Sequence, residues 1–200
     1  MSLYNPPAFR EERLEALLPL MQAPRLALLA CHGPGGVPAL SHLPLLTDGR
    51  RVVGHLARAN PQVAALRAAG RAIAVWTGAE GYVSPSAYAS KREHGKVVPT
   101  WNYEAVHAEG PVELVEDAAR LREIVAGLTD HHEAGRPEPW AVEDAPEAFV
   151  QAQLKGIVGV VLTVEALSGK RKLSQNRPEA DQAGVRAQAS PALRAAMERG

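Results

Sequence analysis

RLALLACHGPGGVPALSHLPLLTDGRRVVGHLAR, residues 25–58, decides the fold class. It reads as three strands, 25–31, 37–47 and 51–58, joined by the turn sequences HGPGG and TDGR. Turns this short suit antiparallel neighbours, because a parallel pair needs a crossover of roughly a dozen residues or more. Alternating βαβ order is missing, and neither GxGxxG nor GxxxxGK[ST] occurs, which argues against a Rossmann or P-loop sheet.

Outward from this stretch the same grammar continues. Upstream, Leu14, Leu17, Leu18 and Met21 predict an amphipathic helix over 9–21, broken or kinked at Pro19. Downstream, Asn60-Pro61 opens a short helix over 61–69 that Gly70 stops. A fourth strand follows at 71–77. Residues 97–115 read as two strands, or as one strand bent around Gly110-Pro111. Asp117 caps a helix through Ala134, and Asp144-Ala-Pro-Glu147 reads as a capping box opening a helix that ends at Gly156. Residues 157–164 are apolar almost throughout, as in a buried strand. There is no internal repeat. The expectation is an α+β protein: an antiparallel barrel with peripheral helices, a single domain over 1–186, a helical insertion at about 117–156, and a loosely ordered tail over 187–200.

Two hundred residues, 46% of them apolar by the AVILMFWYC count, are enough to bury roughly 70% of the unfolded chain's surface. That rules out a disordered chain. No apolar run approaches the ~20 residues of a membrane span, and Met1–Phe9 does not read as a signal peptide. The one cysteine, Cys31, excludes intramolecular disulfides and cysteine-based zinc sites, and a cytoplasmic address is expected. The 22 basic and 22 acidic side chains cancel, which speaks against DNA binding led by overall charge. The cancellation is uneven: residues 1–79, 80–103, 104–147 and 148–200 carry +4, +1, −9 and +4. Two stretches, 49–79 and 166–178, hold Arg or Lys and no acid, a pattern suited to a small anionic ligand or arising from ordinary clustering.

Three stretches hold the candidate chemistry. In GHLARANPQ, residues 54–62, a strand delivers His55 and Arg58 to a helix start capped by Asn60. Orphan N–H groups there, with a nearby guanidinium, would cradle a phosphate; the alternative is a well-capped surface helix. GKRKLSQNRP, residues 169–178, is rich in donors and reads as a loop, either a ligand pocket or a solvated cationic turn. Residues 82–107 gather three of the four Tyr and one of the three Trp. Tyr88, Lys91, Trp101 and Tyr103 can wall a flat ring or fill a core. No metal site is expected, because the adjacent His131 and His132 point about 100° apart on a helix. Cys31 and His32 face opposite ways on a strand and form no nucleophile–base pair.

MSLYNPPAF, SHLPLL, GHLARANP, YVSPSAY-x-SK, VPTWNYEAVHAEG, EPWAVEDAPE and GKRKLSQNR-x-EAD, in that order, resemble the PaiB family of FMN-binding negative transcriptional regulators. The resemblance runs to about Arg186. It implies a split β-barrel of the pyridoxamine-phosphate-oxidase-like kind, a homodimer with FMN at the subunit interface. It makes Ser41, His42, His55, Arg58 and Asn60 cofactor-binding candidates by motif position. Lys91, Thr100, Trp101 and Asn102, with Lys172, Ser174, Gln175, Asn176 and Arg177, are further candidates approaching from elsewhere, including the partner subunit. No helix-turn-helix is legible, and the most helical segment is the most acidic, so direct DNA contact is doubtful. No acid–base pair is forced by the residues, which leaves enzymatic activity open. A flavin-dependent oxidoreductase acting on a small molecule is one alternative. A flavin-free binding module is another, on the ground that His42 stands where that barrel family often has Arg.

Overall fold

In the computed structural model, residues 3–199 are described; Met1, Ser2 and Gly200, which end the N-terminal motif and the expected tail, lie outside them. The chain runs β1 (Arg10–Glu11), α1 (Leu14–Gln22), β2 (Ala27–His32), β3 (Pro38–Leu43), β4 (Leu46–Thr47), β5 (Arg51–Ala57), α2 (Gln62–Ala69), β6 (Arg71–Val83) and α3 (Ser90–Glu93). It continues through β7 (Thr100–Val115), α4 (Ala118–Glu133), α5 (Glu147–Leu154), β8 (Ile157–Thr163), β9 (Ala166–Lys172), α6 (Glu179–Gln188) and α7 (Pro191–Glu198). It groups into two compact units. The larger comprises Leu18–Trp76 and His107–Leu167; the smaller comprises Met1–Leu17, Thr77–Val106 and Ser168–Gly200.

The larger unit is an antiparallel sheet in the order β3-β2-β6-β7-β8-β5-β4. Leu28 pairs with His42 on one side and Val75 on the other, Val112 with Leu162, Gly54 with Val160, and Leu46 with Val53. The two ends of this order, β3 and β4, are separated in sequence only by Pro44 and Leu45. The sequence reading has one strand over 37–47. Pro44 has no N–H to donate and interrupts it, so the chain leaves β2 and joins β5, which brings the two sheet edges together as a barrel does. Alternation then sorts the side chains. Leu29 and Cys31, Val52 and Leu56, Ala74 and Trp76, and Val158, Val160 and Leu162 are buried on the inner face. α2 lies against β2 and β3 and buries Val63 and Leu66; Gly70, at φ 64°, ends it with its N–H on Leu66 O at 2.8 Å. The other face of β8 is covered by α4 and α5, where Leu121, Val150 and Leu154 pack with Val115, Ile124 and Val161. β7 is one continuous strand: at Gly110 a Cβ would sit 1.8 Å from Thr163 O, so only glycine allows that approach.

Other boundaries shift for local reasons. α1 starts at Leu14, not residue 9, because residues 7–9 form a 3-10 turn and Arg10–Glu11 pair with β9; Pro19 is inside the helix. The box expected at Asp144/Glu147 does not form. Asp144 instead accepts from the Ala141 N–H at 2.9 Å, and α5 begins after Pro146.

In the smaller unit β1 pairs with β9, in register Arg10–Lys170, and β9 also pairs with β7. β9 corrects the loop reading of the GKRK run. The expected loose tail is ordered through Glu198: Pro191 occupies the first turn of α7, Ser190 accepts from the Leu193 N–H, and Leu193 and Ala196 are buried beside Leu173. A second cluster joins Val83, Ala87, Tyr88 and Val185.

Candidate functional site

β9 places three consecutive cations in different surroundings. Arg171 is 8% exposed; its Nε donates to Glu104 Oε1 (3.1 Å) and its Nη2 to Ala196 O (2.9 Å), with Glu11 at 4.0 Å. Arg199 reaches the same Glu104 at 3.5 Å. Glu11 is held by Arg13, whose guanidinium pulls its pKa down to about 2. Lys170 is equally buried. It donates to Tyr4 O at 2.8 Å and lies about 5 Å from the rings of Tyr4 and Tyr103. Lys172 is half-buried and donates to Thr100 Oγ1.

Beyond Lys172 the chain is tightly tied. Gln175 accepts from the Leu173 N–H at 2.7 Å and donates to Arg171 O. Ser174 has φ 66°, a conformation that costs a non-glycine residue about 1 kcal/mol or more, and it is held there by hydrogen bonds with the fully buried Asn102. Arg177 stacks over Tyr88 at 4.7 Å; the Tyr88 hydroxyl is buried without a hydrogen-bond partner. Lys91 donates to Ser86 Oγ at 3.0 Å, and Asn176 is exposed. Next to Thr100, Trp101 is 47% exposed and packs against Tyr82, 59% exposed, with ring centroids 6.2 Å apart. The smaller unit thus combines a half-buried ammonium, a hydroxyl and an exposed aromatic pair.

Of the larger unit's candidates, Ser41, Asn60 and Arg58 lie close to one another through a shared hydrogen bond or cavity, while His42 and His55 lie apart. Asn60 Nδ2 donates to Ser41 Oγ (3.0 Å), and Asn60 Oδ1 accepts the Gln62 N–H (2.9 Å). The Val63 N–H goes to Asn60 O. The amides expected to point outward at the start of α2 therefore have partners within the loop. His42 is on the opposite face of β3 from Ser41 and is exposed beside Leu40. His55 pairs with Gly159, over which Ile124, Val115 and Leu121 close, so it projects under α4; its Nδ1 is buried without a partner, and burial lowers its pKa. Arg58 donates to Glu116 (2.9 Å), Lys155 O (3.0 Å) and Ile157 O (3.1 Å), and Glu116 also takes Arg67 at 2.5 Å. An open cavity of about 360 Å³ is lined by Arg58, Asn60, Arg67 and Glu116. Within GHLARANPQ, Arg58 also bolts the end of β5 to β8. Sequence reasoning missed Tyr82 as the partner of Trp101, although the aromatic density of 82–107 signalled it. It also missed Glu104 and Tyr4, which only the pairing of β9 reveals.

Among the described residues, no three His, Cys, Asp or Glu side chains gather as a metal-binding group, and no helix is long and apolar enough to cross a membrane.

Residues 3–166 match the family model described as "Putative FMN-binding domain". The chain is 35% identical over 154 residues to "Protease synthase and sporulation protein PAI 2" of Bacillus subtilis, covering 75% of this chain and 72% of that protein. It is 35% identical over 164 residues to an uncharacterised protein of Aspergillus fumigatus, covering 66% of this chain and 63% of that one. Among solved structures it resembles an FAD and heme binding protein from Mycobacterium smegmatis (TM-score 0.62, 20% identity, 82% of this chain and 73% of that chain). It also resembles a flavocytochrome from Azotobacter vinelandii (TM-score 0.60, 20% identity, 82% and 69%). At such identities these likenesses establish the fold, an α+β split barrel.

Proposed function

Because the chain belongs to the FMN-binding domain family that its residues 3–166 match, we propose that it holds FMN chiefly through the polar and aromatic side chains of its smaller unit. The observation that carries this reading is the join of the half-buried Lys172 ammonium to Thr100 Oγ1; the exposed Trp101–Tyr82 pair is built on the next residue of β7, which alternation places on the other face of the strand. The donor set fits the cofactor's chemistry. An ammonium and a hydroxyl suit a phosphate, an aromatic pair suits a flat heteroaromatic ring, and the Asn102–Ser174 bonds fix the loop between them. The flavin supplies the redox chemistry when bound; the chain supplies orientation and donors.

The biological reading is a cytoplasmic homodimer, with flavin at the subunit interface, that acts in negative regulation of gene expression. An apolar sheet face supports the dimer: Leu40 is 56% exposed on β3, and its same-face neighbours Leu28, Ala30, Ile73 and Val75 are half-buried. The Bacillus subtilis relative, named for protease synthase and sporulation, supports a regulatory role. Regulation through a ligand or partner is favoured over direct DNA contact, because α4 leads into the acidic 134–146 segment and not into a tight turn and a basic helix.

Titration of the purified protein with FMN, followed by flavin fluorescence, tests the site. Lys172→Met should weaken binding about 10- to 150-fold, the equivalent of losing one charge-assisted contact of about 1.5–3 kcal/mol. Arg58→Ala should lower stability and leave affinity within about twofold, since its donors are already engaged. The reverse pattern would move the phosphate to the larger unit and overturn the assignment.

A further inference from the structure

We propose that the outer face of β3, β2 and β6 docks against the same face of a second copy of the chain, and that acid releases the contact through His42. The proposal rests on the homodimer reading above and adds its regulation.

Strand register arranges the face in rows. His42, Leu28 and Val75 lie in one row across the three strands, and Leu40, Ala30 and Ile73 in the next. None of the six carries a fixed charge. Leu26 and Val37, just before β2 and β3, are exposed as well. Such a face offers no ion pair to a charged partner. Its gain is burial of apolar area, and a second copy supplies a matching area.

Shape gives an independent reason for that occupant. Leu40 projects from β3, and opposite it in the register Ala30 lines an open cavity of about 370 Å³. Ile73, Pro38, His32, Arg71 and Glu109 line the same cavity. Knob and hollow therefore share one surface. A two-fold pair of copies needs this, because Leu40 of each chain can then enter the hollow of the other.

His42 is the titrating group. It is exposed, on the same face as Leu40 and opposite Leu28, and its row contains no carboxylate. The charged groups of the elements packed against β3 are engaged elsewhere. On α2, Arg67 holds Glu116; on β5, Arg51 acts on Asp48 and His55 projects under α4. On β2, His32 stands at the hollow with Glu109 and with Arg71, which holds Glu165. An imidazole enclosed between apolar rows must be neutral, whereas in water it gains a proton near pH 6.5. The dimer is therefore intact above that range and weakens as pH falls through it. Each copy sheds one proton on docking, so Kd rises by up to about tenfold per pH unit per histidine, or about 100-fold for the two.

Analytical ultracentrifugation of the full chain without FMN, from pH 8 to pH 5.5, tests this. The expected result is a dimer at pH 8 with a Kd at least about tenfold higher at pH 5.5. His42→Gln should dimerise with a Kd that changes less than about threefold over the same range. Ala30→Phe fills the hollow and should weaken the dimer at least about tenfold at pH 8. His42 is exposed, so its variant should fold even if the phenylalanine variant does not; circular dichroism checks both, and the parent chain at pH 5.5. A dimer with a flat pH profile, an unchanged pH response in His42→Gln, or unaltered affinity in a folded Ala30→Phe would overturn this proposal alone. Monomers at every pH would overturn the homodimer reading with it, so the two failures are distinguishable.

Discussion

Replacing Arg171 by methionine separates the structural from the ligand-binding reading of the GKRK run. The Arg171 side chain is 10% exposed and that of Glu104 6%, with 3.1 Å between Nε and Oε1. Methionine keeps most of the aliphatic volume and removes the charge. Glu104 then retains Arg199, 61% exposed at 3.5 Å, and a weak contact from the Ala79 N–H at 3.4 Å; Ala196 O loses its donor. Breaking a buried pair in this way costs about 3–5 kcal/mol. For a chain of this size that is a fall in Tm of roughly 6–20 °C, at about 2–4 °C per kcal/mol. The companion Arg171→Met/Glu104→Leu double variant removes both charges. It should recover most of the loss, since an apolar pair of similar volume is often neutral or better. Urea unfolding followed by tryptophan fluorescence supplies the three free energies of the cycle. FMN titration at a temperature where all variants are folded supplies the second readout. A structural Arg171 predicts large coupling with Glu104 and unchanged affinity. A destabilisation below about 1 kcal/mol together with lost FMN affinity would refute the reasoning, because the side chain would then face ligand and not Glu104.

Three further outcomes follow from other parts of the molecule. Glu11 is depressed to about 2 by Arg13, so its contribution to stability is complete above the ordinary carboxylate range and is lost as pH falls toward 2; Glu11→Gln should flatten the stability curve between about pH 4.5 and 2, measured by thermal melts, and an unchanged curve would reject the pairing. Leu40→Glu, on the exposed face of β3, should convert a dimer into monomers by light scattering, and an unaltered mass would remove that face from the interface. Gly127→Ala should stabilise the chain by about 0.5–1 kcal/mol, because helix propensity improves and the added Cβ has room; a lower Tm would show that the space above Gly127 is already needed by the native packing.

The fold was legible where short-range signals act alone. Asp48 and Gly49 make the β4–β5 turn, Asn60, Pro61 and Gly70 bracket α2, and Asp117 caps α4 by accepting the Arg120 N–H. It was obscured where a residue's meaning depends on a distant partner. Ala166–Lys172 looks polar enough for a loop, yet it forms a strand because β1 and β7 pair with it and Glu104 receives the Arg171 charge. The site shows the same division. In the smaller unit Lys172 meets Thr100 and Asn102 meets Ser174, pairs more than 70 residues apart in sequence. Ser41 meets Asn60, but His42 and His55 lie apart, because alternation on β3 sends His42 to the opposite face from Ser41 and the Gly159 register puts His55 under α4, while Glu116, far away in sequence, takes Arg58.

The cationic run also shows why charge counted along a chain is a poor guide to charge presented to a ligand. On a strand the side-chain period is two, so Arg171 points away from the face of Lys170 and Lys172. Arg171 is neutralised by Glu104, Lys170 lies over the rings of Tyr4 and Tyr103, and Lys172 donates to Thr100 Oγ1. The Arg-rich stretch 49–79 reduces in the same way: Arg58 and Arg67 share Glu116, Arg71 pairs with Glu165, and the charge of Arg51 acts on Asp48. In each acid-free stretch, therefore, several cations are already engaged by a carboxylate or an aromatic ring. A nucleic-acid backbone demands several cations in a row, and engaged cations suit it less well than their number along the chain suggests.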